Sequence, residues 1–560
     1  MAPGNRGERM PRSSRLAAVL TICGIVLIGV VLARQVVHVS TVLVPAEGGT
    51  YTEGVVGAPQ WPNPVLAAFN ETDEDLARLL FRGLTRVDEH SRIVPDLAES
   101  WEASGDALVY TFTLKAGLKW QDGAPVTADD AVYTFQLMQS PDFPGPPYLV
   151  ELWKTVRVEK VDPLRVRFTL SEPFAPFLDY TTVGLLPAHI LGNTLPADLV
   201  KHPFNTAPIG NGPFILERAT SEEVVLRPNP LSDGPKPYLE RLVLRLYPDT
   251  DAVFAAYRRG EVDGIRAIPA DRLEDAAGLP ALNLYSAPVA QATWLIFNTQ
   301  SPPLDETALR RALTLATDRQ RLIVDALHGQ ALPLYGPLLP TSWAYSPAVE
   351  QAAYDPEQAR ALLAEAGWAD SDGDGTRDKE GKALAVEIVC LNTPQDVRVA
   401  EAIAAQWQEV GVRATVAPLS AGELANDYLR PRAFQAVLYH WLDVTPDPDM
   451  YPFWHSTQAT DPGQNFAQFR NRDADEIMEQ ARQTPDTVLR QELYARLQEI
   501  LRDEAPAIFL YQPVYTMGVR DTVQGVTLGP VFSASDRFRS IAGWYVQTRR
   551  VVASQARQGH

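Results

Sequence analysis

The stretch that most constrains the fold runs from Pro95 to Met138, PDLAESWEASGDALVYTFTLKAGLKWQDGAPVTADDAVYTFQLM. Tyr110, Phe112 and Leu114 alternate with Thr111, Thr113 and Lys115, the period-two pattern of a strand with one buried face. Asp122-Gly123 marks a turn, because Gly tolerates positive φ and Asp can bond the local backbone. Thr127 is placed to cap a helix, with Asp129 and Asp130 where the positive end of the helix dipole favours carboxylates. Ala131, Phe135 and Met138 then repeat at helical spacing, so one helix face is buried. These residues specify strand, turn and capped helix; they carry no chemistry of their own.

The same residues resemble the signature of family 5 extracellular solute-binding proteins, the oligopeptide, dipeptide and nickel receptors that feed ABC importers. That signature reads P-x-L-A-x-S-W, then aromatic-T-F-x-L-x-x-G-x-x-W, then D-G-x-P-x-T-A-x-D-V. Pro95, Leu97, Ala98, Ser100, Trp101, Phe112, Leu114, Gly117, Trp120, Asp122, Gly123, Pro125, Thr127, Ala128 and Asp130 match it, and Ala131 stands where Val is usual. So many fixed positions at fixed spacing make a specific signal. The resemblance extends over nearly all of residues 50–515. Asn63-Pro64 ends the first loop, and Phe174 to His189 is similar to a stretch ending L-P-x-H-I-L. Pro208 to Phe214 is similar to P-I-G-T-G-P-F, with Asn211 for Thr. Gly210 and Gly212 there are expected to serve special backbone angles. They are not a phosphate loop, since no suitable helix or Lys follows. After Pro228-Asn229-Pro230 the family has an aromatic pair, and this chain has Leu231-Ser232.

The resemblance implies an α/β, two-lobe periplasmic-binding-protein fold of type II, in the large cluster with an extra subdomain. Lobe I is expected at 50–290, with the inserted subdomain at about 75–205, lobe II at 291–509, and a return to lobe I at 510–550. Alternating strand and helix patterns in the second half independently favour an α/β layer. They include a helix at Leu76 to Leu84, a buried strand at Trp294 to Asn298, one helix from Leu309 to Leu327, and a strand at Ala507 to Tyr511.

Residues 1–15 are a polar tail with four arginines, and Leu16 to Ala33 follows without a charge. As a helix this run spans roughly 27 Å, close to the thickness of a bilayer's hydrocarbon core. Ile22 before Cys23 disfavours a lipoprotein signal, and the run is longer than a usual cleaved h-region. The expectation is therefore one uncleaved transmembrane anchor at 16–33, a stem at 34–49, and the globular part outside the cell membrane. A net charge of −19 argues against nucleic acid as a partner. With Cys23 inside the apolar run, Cys390 has no disulfide partner in the globular part.

Catalytic signatures are missing: there is no HExxH, G-x-S-x-G, Walker loop or CxxC pair. The expectation is a receptor, not an enzyme, with an ABC permease as its protein partner. A membrane-tethered sensor is the alternative, as is a binding protein for a non-peptide solute such as an oligosaccharide or nickel complex. Tyr439 to Asp449 (YHWLDVTPDPD) resembles the family's W-x-x-D-x-x-D-P segment. There the Trp lines the cleft and the following Asp meets the ligand's ammonium. Trp441 and Asp447-Pro448 keep the spacing, but Val444 occupies the acidic position. Asp443, one residue earlier, is the candidate anchor, although a one-residue slip in a strand turns a side chain to the other face. His440, Asp447, Asn298 and Trp61 complete the ligand-binding candidates. His440 and His455 with these acids match no known metal spacing, and His189 reads as a packed loop residue. Asp370, Asp372, Asp374 and Asp378, with Gly375, open like a calcium loop, but Gly381 stands where its bidentate Glu belongs. A solvated acidic turn is the favoured reading, so no cofactor is expected beyond possible calcium.

Overall fold

The computed structural model describes residues 21–31, 41–442 and 444–552, except the side chains of Pro147 and Tyr148. The signature stretch forms part of a four-stranded antiparallel sheet ordered Ala98–Ala103, Val109–Leu114, Arg165–Leu170, Val156–Asp162. The expected helix spans Ala128–Met138. The Thr127 hydroxyl accepts from the Asp129 N–H, and the Asp130 carboxylate accepts the Thr127 N–H at 2.8 Å, forming a capping box. Phe135 meets Phe168 of the sheet at 5.0 Å and Trp153 at 4.4 Å, so the apolar face lies where its spacing put it.

The larger sheet is ordered Arg413–Leu419, Ala385–Leu391, Ala436–Trp441, Ala292–Phe297, Ala507–Arg520, Gly264–Ile265, Thr50–Val56, Arg241–Tyr247, Glu223–Pro228, Phe214–Ala219. The strand Ala507–Arg520 belongs to both lobes. Its first part pairs with Ala292–Phe297, from Ile296↔Ala507 to Thr293↔Tyr511. Its last part pairs with Leu282–Pro288, from Pro288↔Val514 to Leu282↔Arg520. The chain thus crosses between lobes twice, side by side. Val289 donates its N–H to the Pro513 carbonyl at 2.8 Å, and Gln512 Nε2 donates to the Val289 carbonyl at 2.8 Å.

Along Ala292–Phe297 the pleat divides two cores. Leu295 and Phe297 join one with Leu438, Ile508 and Trp407; Trp294 and Ile296 join the other with Val437, Trp441 and Phe509. In lobe I, Arg537 is fully buried between two carboxylates. Its Nη1 donates to Asp75 Oδ1 at 2.5 Å and to the Ala534 carbonyl at 2.8 Å, and its Nε to Glu53 Oε2 at 3.0 Å.

Three expected elements differ. The helix at 76–84 is Glu71–Leu80, because Asn70 accepts the N–H groups of Thr72 and Asp73 and so starts it earlier. The helix at 309–327 is two, Thr307–Leu315 and Arg319–Leu327, because Asp318 caps the second. Gly210 and Gly212 do not have positive φ. A Cβ at Gly210 would lie 1.9 Å from the Leu80 carbonyl oxygen, and one at Gly212 would lie 2.6 Å from the Leu80 carbonyl carbon. They are glycines because another backbone passes against them. The stem's strand Thr41–Ala46 pairs antiparallel with Gln547–Val552 near the end of the chain.

Of the expected anchor, residues 16–20 and 32–33 lie outside the described residues, and 21–31 are helical. Among the described residues no helix is long and apolar enough to cross a membrane.

Candidate functional site

The loop leaving the strand Ala436–Trp441 meets the inserted subdomain. Alternation turns Trp441 toward the Trp294 core, where it is 6% exposed, 5.3 Å from Trp294 and 4.8 Å from Phe453. Val444 is buried and its N–H donates to Ala290 O at 3.3 Å, beside the crossovers. Asp447 is clamped by Arg490, with Nη1 to Oδ2 at 2.7 Å and a second bond from Nη2. Asp449 holds Arg482, whose guanidinium lies 4.0 Å from the Tyr451 ring and 5.7 Å from Phe174 of the subdomain. Across the interface, Asp179 Oδ2 accepts the Asp447 N–H at 2.8 Å. Burial pushes the Asp179 carboxyl up to about 8, and the Asp447 charge adds to that rise. Tyr110, on the signature strand, is raised by burial and by the same Asp447 charge.

Two cavities flank this loop. One of about 630 Å³ lies between Glu151, Glu172 and Phe174 of the subdomain and Tyr451, Glu479 and Arg482 of lobe II. The other, about 140 Å³, lies at the crossovers between Pro288, Gln512, Trp343, Arg92 and the turn Val444–Thr445–Pro446. No carboxylate is found among the described residues lining it, and Arg92 is held by Asp88 at 2.8 Å. Space bounded by both lobes can exclude water from a bound molecule when the lobes approach, which strengthens every polar contact made there.

The model of the bacterial extracellular solute-binding proteins, family 5, matches residues 92–461. The chain belongs to this family. The oligopeptide-binding protein AppA of Bacillus subtilis is 30% identical over 498 residues, covering 87% of this chain and 90% of that one. The structure of that protein with a nonapeptide superposes with a TM-score of 0.68 at 26% identity, over 90% of this chain and all of that one. NikZ of Campylobacter jejuni, solved with Ni(L-His), gives 0.70 at 27% identity over 89% and 99%.

In this family 5 protein several expected site residues make contacts within the fold. His440 faces the core opposite to Trp441, where Thr293 Oγ1 lies 3.0 Å from Nδ1 and Asp396 Oδ1 lies 3.1 Å from Nε2. The two-residue period of the strand puts it on the wrong side for the loop. Asn298 is buried and saturated. It donates to the carbonyls of Arg432 and Phe434 at 2.9 and 3.0 Å and accepts from Gln300 and Gln468. Trp61 lies half-buried on lobe I, its N–H donated to Asp73 at 2.8 Å. Asp443 lies outside the described residues.

His455 stacks on Tyr451 at 4.0 Å and meets Thr457 and Glu479, away from His440. Asp370, Asp372 and Asp374 are exposed, with carboxylate oxygens within 4.8 Å of one another. Each already accepts an N–H of its own turn, from Gly373 and Gly375, Asp374 and Thr376 respectively. Asp378 is turned away, accepting the Ser371 hydroxyl at 2.6 Å and its N–H at 2.9 Å. His189 is neither packed nor in a loop: it is exposed in the short helix Ala188–Leu191, where its Nε2 lies 2.8 Å from Asp122 Oδ2. The residues that sequence reasoning passed over are Asp179, Arg482 and Arg490. For Asp179 there was one signal, a carboxylate inside the apolar run FAPFLDY.

Proposed function

We propose that this protein is an extracytoplasmic receptor that takes a peptide between lobes 50–290 and 291–509 and passes it to an ABC import permease. We further propose that it stays at the membrane through an uncleaved helix at 16–33. The observation that carries the reading is the similarity to the Bacillus oligopeptide-binding protein over most of both chains, with a loop of one lobe docked on the other. Intact native mass spectrometry of the protein extracted from membranes tests both parts. It is expected to weigh the full chain with a retained peptide. A chain starting near Arg34 would remove the anchor, and a retained non-peptide solute would remove the peptide. A nickel or other non-peptide complex is the second reading, favoured by Val444 in place of an acid and by the likeness to NikZ.

Asp443 is proposed as the partner of the ligand's ammonium. Losing one member of a desolvated charge pair costs about 3–5 kcal/mol, roughly hundredfold or more in affinity. Asp443→Asn is therefore expected to weaken peptide binding by that factor in calorimetry while leaving the Tm unmoved. Unchanged affinity would place the anchor elsewhere, with Asp447, which Arg490 holds, the next candidate. The acidic turn at 370–378 is read as self-capped, with no cofactor. Millimolar calcium is expected to leave the Tm where it was; a rise that Asp372→Ala abolishes would make it a calcium site.

A further inference from the structure

We propose that Asp179 is a positioning residue: its buried carboxyl fixes the loop 444–449 on the inserted subdomain, so that closing the lobes takes up a proton. The inference rests on the receptor reading in one respect, that the lobes open and close.

Asp179 sits in the short helical stretch Ala175–Thr182 and is 8% exposed. The Asp447 N–H that it accepts lies 268 residues away in sequence, on the other lobe. The contact therefore forms only when the subdomain and the loop are together. The groups around it come from several elements. Asp179 itself meets Thr445 and Asp447 of the loop and the charge of Arg490 from the helix Thr487–Glu504. Around Asp447 stand Tyr494 of that helix and Tyr110 of the strand Val109–Leu114, while Arg482 of the helix Arg472–Gln483 is held by Asp449. Both arginines are already engaged, Arg490 by Asp447 and Arg482 by Asp449. Asp447 raises Arg490 above its ordinary range, although burial works the other way, so this cation is not released by any accessible pH. Tyr494 donates its hydroxyl to the Pro448 carbonyl.

Asp179 is thus a buried carboxyl that accepts the Asp447 N–H and meets the Thr445 hydroxyl, with the Asp447 carboxylate as neighbour and, as its nearby cation, an Arg490 already bound to Asp447. An unpaired buried charge is far more costly than a neutral carboxyl in the same place. The protonated acid still accepts the Asp447 N–H through its second oxygen. Withdrawal of the loop is taken to open the carboxyl to water, where its ordinary value is about 4. Against the loop it titrates at about 8. The group is raised in the closed form, so its contribution to closure is fully present below the ordinary carboxyl range. It is lost as pH rises through the closed value. Between the two, closure binds one proton, and each pH unit changes the closing equilibrium by up to about tenfold.

The test needs no solute. Dyes are placed at Arg157→Cys on the subdomain and Arg472→Cys on lobe II, both exposed, in the full chain carrying Cys23→Ser. Energy transfer is then followed from about pH 6 to about pH 9, with circular dichroism as the folding control. The parent is expected to lose its short-distance population as pH rises. Asp179→Asn, a neutral isostere, is expected to keep that population at every pH, and Asp179→Ala to lose most of it at every pH. A parent without pH dependence, or a pH dependence that survives in Asp179→Asn, overturns the proposal. Should Asp179→Asn fail to fold, the parent profile and the alanine variant decide between the same outcomes. Because no ligand is added, failure here leaves the receptor reading untouched, and failure to find a retained peptide leaves this inference untouched.

Discussion

Arg537→Met is expected to destabilise the protein by about 3–5 kcal/mol, the cost typical of removing one partner from a buried ion pair. The guanidinium is fully buried and its donors are all committed, to Glu53, Asp75 and the Ala534 carbonyl. Glu53 also accepts the Tyr51 hydroxyl at 3.0 Å, and Arg266 approaches Asp75 at 3.3 Å. Removing Arg537 leaves two buried carboxylates with only Arg266 close to one of them. Urea melts of the variant beside the parent read the loss directly. Combining Arg537→Met with Glu53→Gln and Asp75→Asn is expected to recover much of the loss, since the net worth of a buried pair over neutral groups is small. A single variant as stable as the parent would mean that water reaches the cluster.

Trp441→Ala is expected to cost about 3–5 kcal/mol, as deletions of large buried aromatics do. The indole packs within 5.3 Å of Trp294 and 4.8 Å of Phe453, in a group that includes Trp454 and Phe509. A Trp that merely lined a solute cleft would give a different result: weaker binding with an unchanged Tm. Chemical denaturation beside a binding measurement separates the two. A normal melt with lost affinity would return Trp441 to the cleft wall.

Local chemistry was legible in the sequence. The cap at Thr127 and the alternation of Tyr110, Phe112 and Leu114 each depend on residues a few positions apart. The family likeness supplied the two-lobe architecture, which no local pattern contains. Properties set by distant neighbours escaped. Gly210 and Gly212 read as turn residues, but the reason for them is Leu80, on another segment. The helix break before Arg319 is fixed by Gln406, whose side chain bonds both the N–H and the carbonyl of Asp318 from a different helix. His440 and Trp441, both taken as ligand-binding candidates, face opposite ways on their strand, and only the sheet neighbours decide which way is which. Asp179 became notable through a contact that no window of sequence spans.

The strand Ala507–Arg520 also sets an order of assembly. A chain made and exported from its N-terminus delivers Glu53 and Asp75 early, yet their arginine lies 484 and 462 residues downstream. Until the strand arrives, Leu282–Pro288 keeps an unpaired edge, the kind of surface on which unfinished chains stick to one another. The strands of lobe II, from Ala292 to Tyr511, have emerged before Arg537 can neutralise the carboxylates of lobe I. The half begun first is therefore the one completed last.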